Sequence, residues 1–281
     1  MISCFSVYSA PAKNVACRAK NFAYTDLANP RRSFHAQADR KVSQAKHAPC
    51  RDNVLSGIGT LNEGHLHASL KHLYAGDQGQ LEVPFGKFVA DVVRDGVIFE
   101  IQTSSFSGLG RKMLALAEQQ PVVLVHPIAH SKTLIKLKKD DSGEFTRRRS
   151  PKRGALAHIV SELVYIPTLL KHPNFSVEAV LIEEEEVRSF DAKARRGRGG
   201  WRGQGRQLVK VLDQARISTP YSLLDFLLED LPDPFTTKDL SAALDQPKEI
   251  AQQMAYCLRH MDVVDVSGKT GNLLNYKFLT E

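Results

Sequence analysis

The sequence predicts an α/β fold over most of its length, followed by a smaller helical domain that ends in a hairpin. A tight hairpin signal lies at 91–102, and helical and strand-like patterns alternate around it from 61 to 187. Helix patterns and then two strand patterns fill 220–279. The chain has 281 residues, 42% of them hydrophobic, so it can bury one large core or two smaller ones.

The first 55 residues mix Ala, Ser, Asn and basic residues without periodicity, so we expect this segment to be disordered. A transit peptide is the alternative, because only two acids occur in the first 50 residues. No stretch approaches the length of a membrane span. We therefore expect a cytoplasmic protein without a membrane partner, and its net charge of +7 suits a polyanion.

The first helix is predicted at 61–76, where Leu66, Leu70, Leu73 and Tyr74 form one apolar stripe and Gly76 ends the helix. Glu63 lies beside this stripe. His65 and His67 face different ways on the helix, and we expect them to be surface or capping residues.

The next two strands are predicted from the Asp-Gly dipeptide at 95–96, which joins two apolar runs. Asp-Gly in this setting is the strongest short-range signal for a two-residue type I′ turn. With these residues as the loop, the register pairs Val92 with Phe99 and Asp91 with Glu100. The two carboxylates then face each other.

Opposed carboxylates predict a metal site. Directly opposed Cβ atoms lie about 4.5–5.5 Å apart, so two ionised acids repel each other unless a divalent cation lies between them. Gln102 follows Glu100 by two residues and shares its face of the sheet. The alternative is a hairpin with one solvated face. Apolar residues on both faces of these strands favour the metal site over this alternative.

Downstream, the patterns predict a helix at 104–120, a buried strand at 121–128, a helix at 154–170 and a further strand at 177–187. Lys112 lies one helical turn after Gly108 on the first of these helices. Its ammonium group is the candidate to bring positive charge to the carboxylates. The alternative is a surface lysine beside the apolar stripe of the helix.

Helix, hairpin, helix and strand, with Asp91 and then Glu100-Ile101-Gln102 on successive strands, resemble the core of the PD-(D/E)XK nuclease superfamily. The resemblance covers 60 to about 137. It implies a restriction-endonuclease-like mixed sheet flanked by helices. It also implies Asp91 and Glu100 as Mg²⁺ or Mn²⁺ ligands, the Ile101 carbonyl as a further ligand, Glu63 as an accessory acid and Gln102 as the residue that orients the attacking water.

Gln102 departs from the commoner lysine of that family. A glutamine can position a water molecule, but it has no charge with which to stabilise a developing anion. Gln followed by Ser or Thr resembles the variant found in competence-associated nuclease-like proteins. We therefore include Lys112 with Asp91, Glu100 and Gln102 among the candidate catalytic residues.

The C-terminal patterns predict three helices, at 220–231, 235–245 and 248–261, and a hairpin with a basic tip around 268–271. Asp239 is placed to cap the second helix. This order resembles a winged helix-turn-helix domain, whose third helix enters the DNA major groove and whose wing contacts the backbone. The alternative is a winged helix used for protein contact or dimerisation. The exposed candidates for DNA contact are Lys248, Gln252, Gln253, Arg259 and Lys269.

Two basic runs, at 147–153 and 193–210, lie between these units. The second is rich in glycine and contains the only tryptophan of the chain. Guanidinium groups with an indole suit binding to phosphates and unpaired strands, and the alternative is a solubilising linker. We expect the acids at 183–186 to be a solvated strand end, and the alternative is that they pair with the basic run that follows. The candidate nucleic-acid-binding residues are Arg195, Arg196, Arg198, Trp201 and Arg202.

The sequence thus predicts a disordered segment at 1–55, a nuclease-like domain at 56–190, a basic linker at 191–217 and a winged helix domain at 218–281. The expected function is metal-dependent hydrolysis of DNA phosphodiester bonds, by a monomer or a homodimer. The main alternative is a catalytically inactive DNA-binding or regulatory protein that retains the nuclease-like fold. An RNA-binding regulator is a third.

Overall fold

The computed structural model describes residues 64–137, 144–191 and 200–279. The segment predicted to be disordered, at 1–55, lies outside the described residues, and so does Glu63. Within the described ranges, no helix is both long enough and apolar enough to cross a membrane.

The predicted hairpin is present, and its ladder has the predicted register from Arg94–Val97 to Val92–Phe99. The predicted Asp91–Glu100 pair is not part of this ladder. Asp95 and Gly96 have φ angles of 53° and 73°, as a type I′ turn requires. Val92 pairs with Phe99 in the antiparallel ladder. The elements of this region are α1 (His65–Ala75), β1 (Gln80–Phe85), β2 (Phe88–Arg94) and β3 (Val97–Ile101).

The helix predicted at 104–120 is shorter, because the chain turns before it enters the helix. Gly108 has a φ of 82°, and Phe106 is fully buried in the core. Helix α2 accordingly spans Gly110–Ala117, and β4 continues beyond the predicted strand to span Val122–Leu137.

The long helix predicted at 154–170 is wrong. The segment forms a 3₁₀ helix (Leu156–Ile159), the single turn α3 (Val160–Leu163) and a second 3₁₀ helix (Pro167–Lys171). Proline has no N–H group and restricts the residue before it, so Pro167 interrupts the helix.

The remaining strands of the main sheet are β5 (Phe145–Arg149), β6 (Phe175–Phe190) and β7 (Trp201–Ile217). The prediction of a linker at 191–217 is therefore wrong for the residues of β7. This strand pairs antiparallel with β6 over its whole length. Those ladder hydrogen bonds outweigh the low strand propensity of its glycine-rich start.

The main sheet is mixed, in the order β1-β2-β3-β4-β6-β7, with β5 paired to the far part of β4. Parallel ladders join β3 to β4 and β4 to β6, and the other ladders are antiparallel. Helix α1 covers one face with Leu66, Leu70 and Tyr74, whereas Leu73, predicted on the same stripe, is 53% exposed. Met113 and Leu163 lie in the core on the opposite face. The sheet is therefore flanked by helices on both faces, as the α/β prediction required.

The C-terminal elements contribute to the core that contains Met113 and Leu163, on the face opposite α1. Thr236 and Asp239 form the predicted capping box, whereas the helix predicted at 220–231 is only a 3₁₀ helix. Met254 and Leu258 are buried with the residues beneath the main sheet. The elements are a 3₁₀ helix (Pro220–Phe226), β8 (Phe235–Thr236), α4 (Thr237–Leu244), α5 (Lys248–His260), β9 (Val264–Thr270) and β10 (Leu273–Phe278), whose strands form a separate sheet in the order β8-β10-β9.

Candidate functional site

The two predicted carboxylates lie next to each other where β2 leaves the hairpin ladder. The Asp91 N–H donates to Glu100 Oε1 at 3.4 Å, and the Ile101 N–H donates to Asp91 Oδ2 at 2.8 Å. The Ile101 N–H thus bonds to the Asp91 side chain rather than to a backbone carbonyl. This hydrogen bond holds the Asp91 carboxylate beside that of Glu100.

Asp91 faces an open surface cleft of about 500 Å³. The cleft lies between α1, the first hairpin strands and the segment that follows β3. Its lining residues are Gly64, His67, Lys71, Glu82, Asp91, Gln102, Thr103 and Ser104. Sequence reasoning found Asp91 and Gln102 but missed His67 and Lys71 as cleft residues. These two are four positions apart on α1 and so share one helix face.

His67 contacts the Asp91 carboxylate, and the expectation that it is a surface or capping residue is wrong. Its Nε2 lies 3.3 Å from Asp91 Oδ2. Burial alone would raise the pKa of Asp91, but the hydrogen bonds from His67 and the Ile101 N–H, with the charge of Lys112, outweigh it. The pKa of Asp91 is therefore below its usual value, and the group is ionised at neutral pH.

Glu100 is buried, with only 5% of its surface exposed. Lys112 Nζ lies 2.7 Å from Glu100 Oε2 and donates a second hydrogen bond to the Val89 carbonyl at 3.0 Å. Burial raises the pKa of Glu100, and the neighbouring charge of Asp91 raises it further, although Lys112 opposes both. The structure thus brings Lys112 to the carboxylates, as the charge-supplying hypothesis expected.

Gln102 is held in one orientation. Its Nε2 donates to the Ser105 carbonyl at 2.7 Å and to Ser104 Oγ at 2.9 Å. A carbonyl oxygen only accepts, so these bonds distinguish the amide nitrogen from the amide oxygen. The Gln102 backbone carbonyl lies 2.7 Å from His126 Nδ1, which must therefore carry the proton. Burial lowers the pKa of His126, in keeping with a neutral ring.

These residues fit a divalent cation. Two adjacent carboxylates are oxygen ligands of the type that Mg²⁺ and Mn²⁺ take. Burial raises the pKa of Glu100, with a further contribution from the charge of Asp91, and a cation between the two acids would oppose both effects. The described residues contain no cluster of three His, Cys, Asp or Glu side chains suited to a metal ion. A third protein ligand would be the Ile101 carbonyl or Glu63, which lies outside the described residues.

The predicted nucleic-acid-binding residues of the second basic run are only partly described. Trp201 and Arg202 lie on β7. Arg202 Nη2 lies 3.1 Å from Asp191 Oδ2, so this guanidinium has an acidic partner. Arg195, Arg196 and Arg198 lie outside the described residues.

Helix α5 exposes Lys248, Gln252 and Arg259, as predicted. The expectation that Gln253 is exposed is wrong: it is half-buried, and its Oε1 accepts a hydrogen bond from Ser161 Oγ at 2.7 Å. Tyr256, which sequence reasoning missed, is 45% exposed and follows Gln252 by one helical turn. The buried apolar stripe of α5, which includes Met254 and Leu258, could have identified Tyr256 as a residue of the opposite, exposed face. Lys269, on the β9–β10 hairpin, is exposed.

Comparison with known proteins places the main sheet in a family. Residues 64–218, which run from α1 to the end of β7, match the model described as "Domain of unknown function (DUF8091)". An uncharacterized protein of Treponema pallidum (strain Nichols) is 31% identical over 185 residues, which are 66% of this chain and 73% of the relative. No solved structure shows a significant match. The family match spans more than half of the chain, which therefore belongs to the DUF8091 family.

Proposed function

We propose that this protein hydrolyses phosphodiester bonds in DNA with the help of Mg²⁺ or Mn²⁺. The observation that carries the proposal is the adjacency of Asp91, which lines an open cleft, to the buried Glu100, with Lys112 bound to Glu100. A nuclease needs such a centre to be accessible to a polymer. The cleft between α1 and the hairpin meets that need, and the order of elements around it is the one that resembles the PD-(D/E)XK core.

In this proposal, Asp91 and Glu100 hold the metal ion, and each is prepared for that role by a neighbour. His67 and the Ile101 N–H fix one carboxylate of the pair, and Lys112 fixes the other. When bound, the ion would polarise the phosphate and lower the pKa of a bound water molecule.

The amide of Gln102 would orient the attacking water. Its nitrogen is committed to Ser104 and Ser105, so its oxygen is the atom that can accept a hydrogen bond in the cleft. Lys71 lines the same cleft and pairs with Glu82 at 2.9 Å. The ammonium of Lys71 is therefore already paired with an acid, as that of Lys112 is, and these two lysines bring positive charge to the site only through their ion pairs.

We also propose that residues 218–281 form a winged helix domain that aids DNA recognition. A short first helix, the two-residue strand β8, helices α4 and α5, and the β9–β10 hairpin follow in the order that such a domain requires. Helix α5 would be the recognition helix, with Lys248, Gln252 and Arg259 toward DNA. Tyr256 lies on the same exposed stripe.

A second candidate function is DNA binding without cleavage. It is favoured by Gln102 in the position of the commoner lysine, and by Lys112, whose ammonium is already paired with Glu100. In such a protein the cleft would bind the DNA backbone, and the carboxylates would hold a cation for binding only.

The decisive experiment is a cleavage assay on supercoiled, linear and single-stranded DNA with Mg²⁺, Mn²⁺ or EDTA. We expect metal-dependent nicking by the natural chain and none by Glu100→Gln, which keeps the shape of the side chain. Glu118→Gln changes an exposed acid at the end of α2 and should cleave normally. A protein that binds DNA but never nicks it with either metal would favour the second candidate.

Gln102→Lys separates an inactive site from a weakened one. If the site is competent but lacks charge, the lysine should raise the cleavage rate in the same assay. No gain, with the fold intact by circular dichroism, would place the limitation elsewhere in the site.

A further inference from the structure

Beyond the cleft, four strands of the main sheet continue as an extension with a highly charged surface. Lys132 Nζ lies 2.8 Å from Glu184 Oε1 and 3.3 Å from Glu186 Oε2, so these three side chains share one face. Alternation along a strand places Lys136 on that face as well. The sheet extension comprises residues 130–137, 145–149, 183–190 and 201–208. We call the face that carries Lys132 and Lys136 its cleft-side face.

The far part of the cleft-side face carries an aromatic group. The Lys136 ammonium lies 4.6 Å from the centroid of the Trp201 ring, and Phe190 meets the same indole edge-on at 5.9 Å. Phe190 and Trp201 are directly opposed in the β6–β7 ladder. The indole is therefore held on a paired strand rather than on a flexible linker, and it remains partly exposed.

The same face reaches the candidate site. Arg206 is opposed to Glu186 in the β6–β7 ladder, and a shift in register between Val187 and Arg188 keeps it on the same face as Trp201, about 17 Å away along the strand. Its Nη2 donates to the Thr103 carbonyl at 2.7 Å, and Thr103 lines the cleft beside Asp91. A polymer bound in the cleft can therefore continue along this face.

The ion pairs of the extension leave some cations without an acid. Arg148 is opposed to Leu134, which lies between Lys132 and Lys136 on β4, so Arg148 belongs to the cleft-side face. It is exposed, and no acidic partner contacts it within the described part of the chain. Its neighbour Arg147 points to the opposite face, where it pairs with Glu185.

We propose that the cleft-side face binds an unpaired strand of the DNA that enters the cleft, with a base stacked on Trp201 and phosphates on Lys136 and Arg148. The choice of DNA rests on the proposed function. An unpaired strand fits because an indole stacks on the face of a base, which a duplex hides, while cations contact the backbone of either form. Stacking of a base outweighs an exposed cation–π contact, so the base displaces Lys136, which is then available to a phosphate.

The test uses the full chain in EDTA, so that binding is measured whether or not the protein cleaves DNA. The chain contains one tryptophan, and its emission therefore reports on Trp201 alone. We expect an oligo-dT strand to quench this emission, and a blunt duplex of equal length to leave it unchanged. Equal affinity for both forms with unchanged emission would overturn the proposal.

Two further variants test the stacking contact by fluorescence anisotropy of a labelled oligo-dT. Trp201→Ala should weaken binding at least about fivefold, the low end of the effect of removing one stacked base. Trp201→Phe keeps an aromatic ring and should stay close to the natural chain. If both substitutions leave the affinity unchanged, Trp201 does not bind a base.

Arg148→Gln and Arg147→Gln form a matched pair, because they change adjacent arginines on opposite faces of one strand. We expect Arg148→Gln to weaken oligo-dT binding and to lower the slope of log affinity against log salt by about 0.7, the value for one lost contact on a single strand. Arg147→Gln should change neither. If both substitutions change the affinity and the salt slope equally, the oligo-dT strand does not bind selectively to the cleft-side face.

Discussion

Glu100 in the candidate site and Glu184 in the sheet extension are both buried acids, but they differ in their neighbours. The Glu184 side chain is 1% exposed and lies between Lys132 at 2.8 Å and Arg206 at 3.7 Å. The Glu100 side chain is 7% exposed and has Lys112 at 2.7 Å, with a second acid alongside. Burial alone therefore does not identify a functional carboxylate.

The two regions differ in their charge balance. Around Glu184, the ammonium of Lys132, which it shares with Glu186, and the guanidinium of Arg206 oppose the buried negative charge, and this cluster connects β4, β6 and β7. Around Glu100, one ammonium faces two carboxylates, and Asp91 opens onto the cleft. The excess negative charge there is available to a cation from solution, and this difference leads to predictions for each region.

The largest loss of stability is expected from replacing Lys132 of the sheet extension. Lys132→Met leaves the buried Glu184 with only the more distant Arg206, and a buried charge that loses its partner typically costs about 3–5 kcal/mol. Lys112→Met should cost clearly less, because Glu100 already has a raised pKa and can take up a proton. Urea denaturation at pH 7 measures both. Equal losses would show that the two carboxylates are held in the same way.

The sequence predicted the candidate site better than the extension, for a physical reason. A type I′ turn at 95–96 fixes the register of the hairpin up to Val92–Phe99, so local chemistry brings Asp91 close to Glu100. Side-chain hydrogen bonds, rather than the predicted ladder pair, then hold the two carboxylates together. The contact of His67 with Asp91 depends on how α1 lies across the sheet, and no local pattern encodes it. Strand β7 depends on pairing with β6, which lends order to a glycine-rich segment that suggested a linker.

A second prediction concerns the cation that the excess charge would attract. Mn²⁺ at 100 times its Kd should stabilise the natural chain by about 2.7 kcal/mol, because a ligand stabilises the state that binds it. Asp91→Asn should lose this shift, whereas Asp213→Asn, which changes an exposed acid of β7, should keep it. Thermal melts with and without Mn²⁺ measure the effect. If Mn²⁺ raises the melting temperature of Asp91→Asn as much as that of the natural chain, Asp91 is not a ligand of the metal ion.

A third prediction tests the turn that places the two carboxylates. Gly96 has a φ of 73°, and a Cβ there would meet no atom within 4 Å, so the cost of Gly96→Ala is purely conformational. We expect a loss of about 1–2 kcal/mol in urea denaturation. Gly268→Ala is the control, because that glycine lacks a positive φ and a Cβ there would approach no atom closer than the Asn275 side chain at 4.0 Å. A loss of the same size there would show that the turn geometry is not the cause.

The smallest effect is expected at Glu186, a partly exposed acid of the extension. Burial would raise its pKa, but the hydrogen bond from Arg188 at 2.7 Å and the charge of Lys132 outweigh it, so its pKa lies below the usual value. A carboxyl group with a lowered pKa in the folded state stabilises the protein above its unfolded pKa. That contribution disappears as pH falls through the folded value, below 4.5.

Glu186→Gln should therefore cost about 1 kcal/mol at pH 7, the scale of a partly exposed ion pair. The difference between variant and natural chain should shrink as the pH of the urea titration is lowered past 4.5. Glu118→Gln, which removes an exposed acid without an ion pair in the described structure, should show no such change. A cost at Glu186 that is independent of pH would mean that the side chain acts through packing rather than charge, which would weaken the contrast between the neutralised extension and the charged cleft.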